Sequence, residues 1–107
     1  MSFIVNNVLW RVKLVPPQHY MLKRANGTIT LGSCDNNTKT IYVNNMLNDF
    51  MMKKVLCHEI THAVISSYNI ILTDDQEELL ADLIATYGIE IVNNANNIFK
   101  KIIGIAI

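Results

Sequence analysis

Residues Val55 to Val64 set His58, Glu59 and His62 among Val55, Leu56, Ile60, Ala63 and Val64, apolar positions that recur at helical periods. At 3.6 residues per turn, positions four apart lie one above the other, so His58 and His62 present their imidazoles from one face. Glu59 is turned about 100° from His58, beside that face rather than on it. A largely buried helix bearing two imidazoles and a carboxylate is costly unless those groups have a partner. A shared metal ion is the partner this His-Glu-x-x-His pattern suits, with Glu59 free to take a proton from water activated by the metal.

A second motif, Glu77-Glu78-Leu79-Leu80-Ala81-Asp82, begins fifteen residues after His62. The first helix is expected to run from about Met46 to near Asn69, a residue type that tolerates the left-handed conformation of a helix end. Thr73 with Gln76 three residues later reads as a capping box opening a second helix. From His62 the chain climbs about 10 Å to Asn69, and from Thr73 it descends about 7 Å to Glu78. An antiparallel helix pair therefore returns Glu78 almost level with the histidines. Asp82, one turn further on, can accept a hydrogen bond from the outer ring nitrogen of a metal-ligating histidine.

At these residues the chain resembles a family. His58-Glu59-x-x-His62 followed by Glu78-x-x-x-Asp82 is similar to the gluzincin arrangement of zinc metallopeptidases. The phrase Glu78 to Ala85 resembles still more closely the small phage and mobile-element metallopeptidases of the ImmA/IrrE group. The resemblance spans about Thr28 to Val92. It implies zinc held by His58, His62 and Glu78, a histidine braced by Asp82, and Glu59 as general base. Thr61 stands where that group often has glycine, and no separate DNA-binding segment accompanies the motifs.

Composition narrows the rest. With 107 residues and 50% hydrophobic content, the chain is expected to form one domain over residues 1–107, with room for a modest core and a supported site. Formal net charge is zero, which argues against a protein built mainly to hold nucleic acid or an anionic membrane. The halves differ: residues 1–57 carry seven Lys/Arg and two Asp/Glu, and residues 58–107 carry two and seven. Three of those seven acids, Glu59, Glu78 and Asp82, belong to the expected site. Cys34 and Cys57 follow no secretory leader, so free thiols in a reducing cytoplasm are expected.

Along the chain, Ser2 to Leu9 reads as a short helix or irregular lead. Trp10 to Val15 alternates apolar and charged residues as a half-buried strand until Pro16-Pro17 stops it. Asn26-Gly27 is a turn signal, Thr28 to Gly32 a second strand, Asp35-Asn36-Asn37 another turn, and Thr38 to Val43 a third strand. The expected architecture is α+β: a small three-stranded sheet packed on the metal-binding helix and an antiparallel helix bearing the glutamate. Asn93 to Asn97 is expected to be a break or frayed end of the second helix, leaving Ile98 to Ile107 as an apolar tail. Ten residues are too short to cross a bilayer as a helix, so the tail reads as core cover or an interaction segment rather than a membrane-surface anchor.

The activity these residues point to is a zinc-dependent endopeptidase acting on a protein substrate, for which a repressor is one candidate. By the gluzincin resemblance, the substrate lies as an extended strand along the sheet edge Thr28 to Ser33, where backbone pairing makes few sequence demands. His19, Tyr42, Tyr68 and Tyr87 are available as oxyanion donors, and none is singled out. The competing expectation is a zinc-stabilised interaction module of phage or mobile-element origin that binds its partner without cleaving it.

Overall fold

In the computed structural model, residues 1–104 are described. The elements run β1 (Ser2–Val5), β2 (Val8–Val15), a 3-10 turn (Tyr20–Leu22), β3 (Gly32–Asp35), β4 (Thr40–Asn44), α1 (Asp49–Ser67) and α2 (Asp74–Ile102). The architecture is α+β, but the sheet has four strands rather than three, in the order β1-β2-β4-β3. β1 and β2 pair antiparallel, β2 and β4 parallel, and β3 and β4 antiparallel.

The extra strand comes from the segment expected to be helical or irregular. Val5 pairs with Val8 across a two-residue loop, and Asn6 and Asn7 both take positive φ (48° and 60°). Those are the left-handed conformations that a tight hairpin turn needs, and asparagine is among the few side chains that accept them. Ser2 to Val5 and Val8 to Val15 are therefore the two arms of one hairpin.

The expected strand Thr28 to Gly32 is also displaced. Arg24 N–H donates to Thr28 O (2.8 Å), and Thr30 N–H donates to Leu22 O (2.8 Å). The Asn26 side chain accepts from both the N–H and the hydroxyl of Thr28. Residues 22–30 thus close on themselves as a small loop hairpin around Asn26-Gly27, and the strand proper starts at Gly32. The following turn falls at residues 36–39, with β4 beginning at Thr40.

β4 is buried along its whole length because it is covered on both faces. Ile41 and Val43 join Trp10, Val55 and Ala63 under α1. Tyr42 points the other way, into a cluster with Val15 and Leu22 of the 3-10 turn. The expected alternation of β2 holds at Trp10 and Val12, which face the α1 side while Arg11 and Lys13 are exposed, and fails at its end, where Leu14 is exposed and Val15 is buried on the opposite face with Leu22 and Tyr42.

α1 packs on β3 and β4, and α2 packs on α1. α2 continues without a break through Asn93 to Asn97, contrary to expectation, and the apolar tail is helical as far as Ile102. Asparagine costs a helix only about 0.7 kcal/mol per residue, and Lys100 and Lys101 in the last turn complement the helix dipole. From Ile89 to Gly104 every residue is exposed, so Ile98 to Gly104 covers no core; the tail's last residues, 105–107, lie outside the described residues.

Candidate metal centre

Both ends of α1 are fixed by local chemistry. Asn48 caps its start by accepting from Met51 N–H. At its end Asn69 takes φ 53°, its N–H donates to Ser66 O, and Ile70 N–H donates to Ile65 O. That pair of bonds is the left-handed helix ending expected near this residue. The β1–β2 hairpin clasps the same end: Trp10 Nε1 donates to Ser67 Oγ (2.8 Å) and Asn6 Nδ2 to Ser67 O (2.9 Å).

α2 opens with the expected capping box, Thr73 accepting from Gln76 N–H and Gln76 accepting from Thr73 N–H. Its first turn is acidic, with Asp74, Asp75 and Glu77, a placement the helix dipole favours. The helix then descends beside α1 and carries Glu77, Glu78 and Asp82 to the histidines.

The resulting geometry is specific. His58 Nε2 and His62 Nε2 are 3.2 Å apart. Glu78 reaches both, with Oε1 2.9 Å from His62 Nε2 and Oε2 3.3 Å from His58 Nε2. The outer nitrogens are taken separately: His58 Nδ1 lies 2.9 Å from Asp82 Oδ1, and His62 Nδ1 lies 2.5 Å from Glu77 Oε2. Zinc–ligand bonds of about 2.0–2.1 Å at tetrahedral angles separate neighbouring donor atoms by about 3.3 Å. The two Nε2 atoms and the Glu78 oxygen facing each of them stand 2.9–3.3 Å apart, close to that spacing. His58, His62 and Glu78 are the group, among the described residues, that can hold a metal ion.

Glu59 is 7% exposed and lines the same cleft as His58, His62 and Glu78. Burial pushes its carboxyl above the usual range, against the pull of His58 and His62; Glu78 adds to the rise and Arg24 opposes it. The carboxylate rests over β3 at Gly32. A Cβ at that position would stand 2.6 Å from Val55 Cγ1 and 3.2 Å from Glu59 Oε2, so only glycine allows this approach. Thr61 directs its hydroxyl to Cys57 O (2.8 Å), a local bond that leaves the histidine face undisturbed.

The cleft has two arms that meet over these residues. The larger, of about 820 Å³, extends past Cys34, Asn36 and Ser66; the smaller, of about 260 Å³, extends past Met51, Lys54 and Ala85. Both are lined by Arg24, Thr30, Gly32, His58, Glu59 and Glu78. β3 is the edge strand along this cleft, as Gly32–Asp35 rather than the expected Thr28 to Ser33. Leu31 O accepts from Asn44 N–H. By antiparallel alternation, Gly32 and Cys34 direct their backbone groups away from β4, where the Gly32 carbonyl accepts from the Thr30 hydroxyl (3.1 Å) and keeps one lone pair for a further donor. Beneath this edge, burial and the carboxylates of Glu59, Glu77 and Asp35 push the Cys34 thiol up to about 12.

None of His19, Tyr42, Tyr68 and Tyr87 lines either arm. His19 caps the 3-10 turn, accepting from Met21 N–H, and stacks on Tyr20 and Tyr42. Two contributors escaped the sequence reading. Glu77 faces His62, and the signal was that two imidazoles need two outer acceptors when only Asp82 had been assigned. Gly32 sits inside a strand, which is itself a sign of close backbone approach.

A family model described as the IrrE N-terminal-like domain, a peptidase family, matches residues 18–98. The match takes in the 3-10 turn, β3, β4, α1 and most of α2, and so every residue of this centre. No curated protein and no solved structure matches the chain.

Proposed function

The chain belongs to the IrrE N-terminal-like domain family of peptidases, and from that membership we propose that it is a zinc-dependent endopeptidase, formed as one domain over residues 1–107. The observation that carries this reading is the convergence of His58 Nε2, His62 Nε2 and the Glu78 carboxylate, with Glu59 in the same cleft. In this reading His58, His62 and Glu78 are the metal ligands. Asp82 and Glu77 hold the two imidazoles in the tautomer that leaves each Nε2 free to bind, and raise their basicity. Three protein ligands leave the open coordination position of a catalytic rather than a structural site.

Zinc held there supplies Lewis acidity toward water and toward a peptide carbonyl. The protein's own residues do the rest. Glu59, kept from bulk water under β3, accepts the proton of the attacking water and passes it to the leaving amine. The substrate is a protein or peptide segment lying as an extended strand along β3, bonded through the open backbone groups of Gly32 and Cys34, and a repressor is one candidate. Among the described residues no helix is long and apolar enough to cross a membrane. Cys34 and Cys57 are both free thiols, which supports a cytoplasmic setting.

The deciding measurement is paired: cleavage of a candidate protein by wild type and by Glu59→Gln, with zinc content determined in both. Glutamine keeps the shape of the side chain and cannot take a proton. Turnover should fall by about 10² to 10⁴-fold at full zinc occupancy. Undiminished effect in zinc-loaded Glu59→Gln would replace the peptidase reading with that of a metal-stabilised interaction module.

A further inference from the structure

The two arms of the cleft are lined by four carboxylates, Glu59, Glu77, Glu78 and Asp82, and by four cations, Lys23, Arg24, Lys39 and Lys54. The carboxylates all belong to the candidate centre: three are paired with a histidine and the fourth is buried over Gly32. Outside the centre, every charged side chain lining the cleft is therefore cationic. This resolves the charge asymmetry of the chain. Four of the seven Lys/Arg in residues 1–57 face the cleft, and neither acid of that half, Asp35 or Asp49, lines it.

The cations are not equally free. Lys39 is bonded to Asn36 Oδ1 and lies 5.3 Å over the Trp10 ring. The ion pairs of the described residues are those of His58 and His62 with α2, so Lys23, Arg24 and Lys54 have no carboxylate within 4 Å there, although Arg24 is near enough to Glu59 to act on its charge. Arg24 alone of the four lines both arms. Its backbone is held in the loop hairpin by Arg24 N–H to Thr28 O and by Gly27 N–H to Arg24 O (2.9 Å). An arginine on a fixed backbone at the junction of two arms presents a planar fork of donors that matches a carboxylate.

We propose that the cleft selects peptide segments bearing acidic side chains beside the bond it addresses, with Arg24 as the specificity-determining residue that receives a carboxylate and Lys23 and Lys54 favouring further acids on either side. The proposal rests on the peptidase reading for its substrate class, but the recognition it describes is independent of bond cleavage. Substrate carboxylates supply the partners these cations lack. Basic substrate side chains gain little from the acids of the centre, three of which are engaged with the histidines and the fourth, Glu59, buried over Gly32. A protein substrate is favoured over nucleic acid because the cations flank an edge strand with open backbone groups, a surface that pairs with a peptide.

The test uses the full zinc-loaded chain and a degenerate peptide library with blocked ends, products being read by mass spectrometry. In parallel, binding is measured for a labelled glutamate-containing peptide and its glutamine twin. Acidic residues should be enriched around the cleaved bonds. The glutamate peptide should bind roughly fivefold more tightly, as expected of a well-placed exposed ion pair, with the gap narrowing as salt rises. Arg24→Glu should abolish or invert that ratio while the melting temperature holds, and Arg24→Lys should restore part of it. Cleavage with no acidic enrichment and equal binding of the twins would overturn the proposal and leave the peptidase reading intact. Preferential binding of the glutamate peptide without cleavage would support acid recognition and remove the peptidase reading. Tighter binding of single-stranded DNA than of the glutamate peptide, lost in Arg24→Glu, would overturn it in favour of phosphate recognition.

Discussion

His58 and His62 turn their Nε2 atoms toward each other at 3.2 Å, while each Nδ1 turns outward to a carboxylate of α2. Two facing imidazole nitrogens gain little from one another beyond a single hydrogen bond. With Glu78 bridging both, a cation completes the arrangement far better than a proton does. An ion that binds only the folded chain must stabilise it by mass action, by about 2.7 kcal/mol at a hundredfold excess over Kd. The melting temperature should therefore rise with zinc and fall with a chelator. His58→Ala, His62→Ala and Glu78→Ala should each abolish the response. Identical melting curves with and without zinc in wild type would eliminate the centre.

Asp82 and Glu77 hold the outer nitrogens of His58 and His62 respectively and do not bridge the facing pair. Acceptors in that position tune a ligand without replacing it. Asp82→Ala and Glu77→Ala should each weaken zinc binding by about 10- to 100-fold, and the double variant should be weaker than either. Titration of the purified variants against a competing chelator measures this. Complete loss of zinc in Asp82→Ala alongside full retention in Glu78→Ala would mean that the helix register assigns the ligand wrongly.

What the sequence made legible follows from how local each signal is. The spacing of His58 and His62, the left-handed end at Asn69 and the Thr73 capping box are properties of a few consecutive residues. Together they were enough to bring Glu78 and Asp82 level with the histidines. The β1–β2 hairpin was missed because Asn6-Asn7 is a weaker turn signal than the Asn26-Gly27 pair, which instead shapes a loop. Whether Thr28 to Thr30 pairs with β4 depends on the competing bonds that Asn26 and Leu22 offer, a contest no hydropathy pattern reports. The persistence of α2 through Asn93 to Asn97 shows the same limit from the other side, since a weak local preference is overridden by the helix on either side of it.

Cys34 carries a consequence of the acidic surroundings of the centre. Burial and the nearby Glu59, Glu77 and Asp35 carboxylates raise its thiol from 9.0 to about 12 in the folded state. The nucleophile is the thiolate, so at about pH 8 alkylation of native Cys34 should be roughly a thousandfold slower than in the unfolded chain. Peptide-resolved mass spectrometry separates Cys34 from Cys57. The sign for stability follows from proton binding. Between pH 9 and 12 the folded state keeps a proton that the unfolded state has lost, so this contribution is fully present below pH 9 and is lost as pH rises. Denaturant unfolding at increasing alkaline pH should show a shallower decline in Cys34→Ala than in wild type. Equal alkylation rates in native and unfolded chains would contradict the burial of this thiol.

Gly32 ties the sheet edge to the catalytic proposal in one position. A methyl group there would meet Val55 Cγ1 at 2.6 Å and the Glu59 side chain at 3.1 and 3.2 Å, so α1 must move from β3 or Glu59 must turn away. Overpacking of this kind costs about 1–3 kcal/mol, and Gly32→Ala should lower stability by that amount. The atoms nearest that methyl belong to Val55 and Glu59 and not to the proposed ligands His58, His62 and Glu78, so zinc content should persist. Turnover should fall nonetheless, because a base displaced by about 1 Å can lose roughly 10²-fold. Stability, zinc content and turnover measured together separate the outcomes. Reduced stability and turnover with zinc retained would support the positioning of Glu59 by the β3 edge. Unchanged turnover in a folded, zinc-loaded Gly32→Ala protein would show that the carboxylate resting on Gly32 is not the proton acceptor.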